Sequence, residues 1–98
     1  MDIEEIALIC KALSENNRIL IIENLVEEKL CACDLLERLN LSQSTLSYHM
    51  KFLEKSGLVN TKIEGKWSFY SINCSKFKEF KSFISKIDCS KERGNCSC

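Results

Sequence analysis

Apolar residues recur every three or four positions through the first half of the chain, then at every second position, then every three or four again. Ile3, Ile6, Ala7, Cys10 and Leu13 share one face of a helix spanning about residues 3 to 13, and that face is expected to meet the core, with Cys10 as a small buried hydrophobe. Ser14 to Asn17 brings capping side chains ahead of a second helix, Arg18 to Val26. Its Ile19, Leu20, Ile21, Ile22 and Leu25 cover almost its whole circumference, which predicts burial on all sides. Cys31 to Leu39 reads as a short helix with Leu35, Leu36 and Leu39 inward, and Asn40-Leu41-Ser42 as a turn. A longer helix follows from about Gln43 to Lys55, with Leu46, Met50 and Leu53 as its core stripe and Ser56-Gly57 as its stop, since glycine accepts the left-handed cap conformation.

Beyond Gly57 the period is two. Leu58, Val59, Thr61 and Ile63, then Glu64-Gly65-Lys66, then Trp67, Phe69, Tyr70 and Ile72 predict a hairpin, with Trp67 and Tyr70 packing at its base. Phe77, Phe80, Phe83, Ile84 and Ile87 restore the helical spacing from about Ser75 to Asp88, and Cys74 is expected to be structural at the junction before them. Residues 89–98 show no period and are expected to form a flexible, cysteine-containing tail. The expected fold is mainly α with a β-hairpin wing: a winged helix-turn-helix of about five helices and two strands, in one domain over residues 1–88.

A chain of 98 residues buries a modest core, which favours a dimer. Apolar runs fall short of a membrane span and the N-terminus is acidic where a signal peptide is basic, so a cytoplasmic protein without membrane contact is expected. In that reducing setting the seven cysteines read as metal ligands, redox sensors or small hydrophobes rather than a disulfide framework. The net charge is zero, but residues 1–41 hold nine acidic and four basic side chains, and residues 42–98 hold five and ten. A neutral total thus hides a basic half suited to phosphate.

Two regions carry chemistry. The fourth helix opens with Ser42, Gln43, Ser44, Thr45, Ser47, Tyr48, His49 and Lys51, side chains that reach base edges or phosphates from a major groove. Ser42 doubles as an N-cap, and His49 takes either a DNA or a packing role. Lys51, Lys62 and Lys66 are the expected phosphate contacts. The second region is Cys31 and Cys33, at the start of the third helix, where the helix dipole lowers a thiol's pKa. Residues two apart on a regular helix point to different sides, so a shared ion would require the first turn to distort. Soft trivalent ions take three sulfurs, and cadmium, lead or zinc take three or four, so further donors are needed. Cys89, Cys96 and Cys98 lie where no core pattern accounts for them and are the preferred candidates, ahead of Cys10 and Cys74.

With L-S-E-N-N-R-I-L at 13–20, K-L-C-A-C-D-L-L at 29–36 and L-S-Q-S-T-L-S-Y-H-M-K-F-L-E-K-S-G-L-V at 41–59, the chain resembles the ArsR/SmtB family of metal-sensing repressors of the arsenical-resistance type. The resemblance implies a homodimer joined through the first and last helices that leaves a palindromic operator when inducer binds, with Cys31 and Cys33 matching the third-helix metalloid motif. Leu36 stands where some arsenic-responsive members carry a third cysteine, and the last helix lacks the Asp/His pairs of the interhelical zinc site. As(III) or Sb(III) is the expected inducer, with Cd(II) or Pb(II) the alternative and no cofactor required. A thiol-redox repressor of the same fold and a protein-binding winged helix are the competing readings. One histidine and no nucleophile–base pair leave little from which to build an enzyme.

Overall fold

The computed structural model describes residues 1–87; the expected tail at 89–98, with Cys89, Cys96 and Cys98, lies outside them. The elements are α1 (Ile3–Ala12), α2 (Asn16–Leu25), β1 (Leu30–Cys31), α3 (Ala32–Leu39), α4 (Gln43–Ser56), β2 (Val59–Glu64), β3 (Trp67–Ile72) and α5 (Cys74–Ser85). Local chemistry marks the boundaries. Asp2 and Glu5 form a reciprocal capping box on α1, each backbone N–H donating to the other's carboxylate at 2.9 and 2.8 Å. Asn40, at φ 55°, caps α3 and turns the chain towards α4, and Gly57, at φ 84°, closes α4. Gly65 takes φ 63° at the first position of the two-residue hairpin loop between Glu64 and Trp67, as a type II′ turn requires.

Ile9, Ala12, Ile21, Leu25, Leu35, Leu46, Met50, Leu53 and Leu58 form the centre of the core, with α4 packed on α1, α2 and α3. Among the described residues no helix is long and apolar enough to cross a membrane.

The sheet has three strands rather than two, in the order β1-β3-β2. The added strand is Leu30–Cys31, which pairs antiparallel with Tyr70 and Phe69 and draws Cys31 out of the helix expected to contain it. Two residues are too few to show a period, so only tertiary pairing defines this strand.

The first helix also turns a different face inward. Ile9 and Ala12 are buried against α4, whereas Ile3 is 83% exposed and Ala7 and Cys10 are exposed. Because α1 is apolar on two sides, periodicity alone could not choose between them. On α2, Arg18, Ile21 and Leu25 point inward, and Ile19 and Leu20 are exposed rather than enclosed. Trp67 is half exposed at the far end of the hairpin, opposite Glu64, while Tyr70 alone of the expected pair is buried. Cys74 is an exposed free thiol at the start of α5.

Candidate nucleic-acid interface and thiol site

The helix α4 carries two faces with separate duties. Gln43, Ser44, Ser47, Tyr48 and Lys51 line one open depression on its outer side. All are exposed, so their amide, hydroxyl and ammonium groups are available to an external partner. Ser42 and Thr45 are engaged locally: the Thr45 backbone N–H donates to Ser42 Oγ at 3.2 Å, and Ser42 Oγ donates to Thr45 Oγ1 at 2.8 Å. On the hairpin Lys62 lies 3.4 Å from the Glu64 carboxylate, and Lys66 stands exposed in the loop.

His49 does not join that outer face. It is 5% exposed on the inner side of α4, where Nδ1 accepts a 3.1 Å hydrogen bond from Arg18 Nε. Leu46, His49, Met50 and Leu53 stand at i, i+3, i+4 and i+7, so the stripe that predicted the core also contained His49. Arg18, which sequence reasoning left unassigned, likewise continues the Ile21 and Leu25 face of α2.

The thiol site forms where β1 hands over to α3. Cys31 occupies the N-cap with extended backbone (φ −84°, ψ 164°), and Cys33 lies within the first turn. Since Cys31 is outside the helix, the expected geometric conflict between residues two apart does not arise. The ligating atoms of Cys31, Cys33 and Asp34 all lie within 4.8 Å of one another with the first turn intact. Asp34 was legible as a capping residue three positions after the cap, a spacing that sequence reasoning did not use. Its Oδ2 accepts from both the backbone N–H and the Sγ–H of Cys31, each at 3.2 Å.

These contacts reverse the expected electrostatics of Cys31. The Cys33 thiol beside it, burial, and the hydrogen-bonded Asp34 carboxylate push the Cys31 thiol above its ordinary value. The Cys31 thiol and backbone N–H, with help from Arg38, hold Asp34 below the usual carboxylate range. Cys31 is buried, whereas Cys33 is exposed and offers a route to solvent. Cys10 and Cys74, on α1 and α5, are not part of this group.

Three packed helices, a tight turn into a helix with an outward polar face, and a following hairpin define a winged-helix regulator. Residues 15–61 match the model of the family "Bacterial regulatory protein, arsR family". The chain is 38% identical over 98 residues to the arsenical resistance operon repressor of Staphylococcus aureus, covering all of this chain and 92% of that protein. It is 32% identical over 83 residues to a cadmium resistance transcriptional regulatory protein CadC homolog, also of Staphylococcus aureus, covering 82% and 69% of the two. Among solved structures, HlyU from Vibrio cholerae N16961 superposes with a TM-score of 0.72 at 31% identity, covering 91% of this chain and 99% of that one. The chain therefore belongs to the arsR family of bacterial regulatory proteins, whose members are transcription factors and not enzymes.

Proposed function

We propose that this protein is a cytoplasmic homodimeric repressor that holds operator DNA through α4 and the hairpin and releases it when trivalent arsenic or antimony binds Cys31 and Cys33. The observation that carries this reading is the convergence of two thiols at the junction of three parts: β1, α3 and, through the Cys31 to Phe69 pairing, the wing strand β3. An ion that draws both sulfurs together loads the start of α3, which packs on α4, and the strand that anchors the hairpin. The strain is thereby delivered to both DNA-contacting elements, with no need to unwind the helix. Metalloid binding requires the thiolates, so it releases the Cys31 and Cys33 protons. Cys89, Cys96 and Cys98 are the sulfurs from which a third thiolate is drawn. Operator reading falls to Gln43, Ser44, Ser47 and Tyr48, and phosphate positioning to Lys51, Lys62 and Lys66. The names of the staphylococcal relatives support arsenical or cadmium resistance as the setting.

The Asp34 carboxylate favours a second reading of the ion. Two sulfurs and one oxygen suit a divalent cation such as cadmium or lead better than three sulfurs would require of a trivalent one. A gel-shift titration of reduced protein on its own promoter DNA separates the two, with arsenite and cadmium added in parallel and a Cys31→Ser/Cys33→Ser variant beside the wild type. Arsenite is expected to free the wild-type complex and leave the variant's intact. Release by cadmium alone assigns the site to the divalent ion, and release of the variant by arsenite would move the sensor away from these two thiols.

A further inference from the structure

Arg18 is a charged side chain only 6% exposed, and among the described residues no carboxylate lies within ion-pair distance of its guanidinium. Its partners are an imidazole and a carbonyl: Nε donates to His49 Nδ1 at 3.1 Å, and Nη1 donates to the Lys11 carbonyl of α1 at 3.3 Å. The guanidinium also lies over the Phe52 ring at 4.0 Å and faces the Tyr48 ring at 5.9 Å. One side chain of α2 thus ties α1 to His49 and Phe52 of α4 and reaches the ring of the outward-facing Tyr48. Tyr48 connects this cluster to the outer face, since its ring meets His49 edge-on at 5.3 Å and also lines the depression with Gln43 and Ser44.

The contact fixes the chemistry of the imidazole. A ring nitrogen that accepts from arginine carries no proton, so this contact calls for the ring proton on Nε2, which points to Glu15 Oε2 at 3.8 Å. Protonating Nδ1 removes the one acceptor that Arg18 Nε has among the described residues and sets two cations in contact within a buried site. The groups facing His49 are Glu15 at the N-cap of α2, Arg18 on α2 and Tyr48 on α4; the Lys11 ammonium of α1 lies farther out, over Phe52 at 5.8 Å. Glu15 attracts an imidazolium, but from a longer distance and with its side chain 36% exposed to screening water. Arg18 is closer and buried, and its Nε–H is aimed at the Nδ1 position itself.

We propose that Arg18 and His49 are positioning residues for DNA binding, and that the DNA-competent pose of α4 requires neutral His49, so that acidification releases DNA independently of any thiol ligand. This rests on the reading of α4 as the DNA-contacting helix. The direction is distinctive, because acid otherwise neutralises carboxylates and strengthens phosphate binding by a more positive protein.

His49 is the chain's single histidine, so its imidazole resonances need no assignment. The test uses full-length, reduced, metal-free protein at constant salt, at two pH values placed on either side of the imidazole protonation that the NMR signals themselves report. Long-range nitrogen–proton NMR is expected to show the Nε2–H tautomer at the higher pH, and α4 amide shifts to move with imidazole protonation. Promoter DNA affinity is expected to fall roughly tenfold or more at the lower pH, the factor that corresponds to losing one hydrogen bond to a charged group. His49→Asn, which keeps an acceptor near the Nδ1 position and does not titrate, is expected to bring the ratio of the two affinities close to one, whatever its absolute affinity. An Nδ1–H tautomer, static α4 amides during protonation, or wild-type affinity that holds or rises in acid overturns the proposal. If the wild type binds no DNA at either pH, the reading of α4 fails, and the tautomer and amide shifts still decide whether the pair holds the helix.

Discussion

Lys62 and Lys66 sit four residues apart on one hairpin in different electrostatic surroundings. Lys62 has the Glu64 carboxylate at 3.4 Å, whereas Lys66 has no ion-pair partner among the described residues. A phosphate contact made by Lys66 therefore releases counterions from DNA with less competition from within the protein. Lys66→Ala is expected to weaken binding to operator and unrelated DNA alike and to lower the slope of log affinity against log salt by about one. Lys62→Ala is expected to change the slope by less. Affinities measured at four or five salt concentrations check this, and an unchanged slope for Lys66→Ala removes the loop from the interface. The other residue-level division, His49 inward and Tyr48 outward, follows from adjacent positions on a helix lying about 100° apart.

At the scale of elements, the first and last helices are held together by a charge pair. Lys76 Nζ of α5 donates to Glu5 Oε2 of α1 at 2.9 Å, and Glu5 is at the same time the N3 residue of the α1 capping box. The Asp2 backbone N–H and the Lys76 ammonium hold the Glu5 carboxyl below the usual carboxylate range, and Glu5 in turn raises Lys76 above an ordinary lysine. The sign follows from linkage. A depressed carboxyl contributes stability above its unfolded value and loses it as pH falls through its folded value; a raised ammonium loses its share only as pH rises through its own. Glu5→Gln is thus expected to melt below the wild type near neutral pH, with the two melting temperatures converging in strong acid. Thermal unfolding followed by circular dichroism at several pH values checks it, and a gap that persists below the carboxylate range would contradict the assignment.

At the scale of the whole molecule, α1 and α5 leave apolar surface uncovered. Ile3, Ala7 and Cys10 on α1 and Ile84 and Ile87 at the end of α5 remain exposed in the single chain, and no residue of α5 is buried. These are the two helices that the family resemblance assigns to the dimer. Ile84→Glu is expected to shift the protein to monomer in sedimentation velocity and to weaken operator binding, while leaving the fold intact because this position is half exposed. A dimer that survives the change would place the interface elsewhere.

The sequence by itself determined the helical stripes, the hairpin, the outward polar face of α4 and the pair of thiols, because each is a local pattern with its own period or spacing. Tertiary structure alone decided which side of α1 faces inward, since both sides are apolar and only the α4 surface selects between them. It alone placed Leu30 and Cys31 in a strand, since a two-residue strand exists only through its partners on β3. That pairing set Cys31 outside α3, so both sulfurs and the Asp34 carboxylate lie within 4.8 Å of one another with the first turn of α3 intact. It also brought Arg18 to His49, 31 residues away in the chain, by packing α2 on α4.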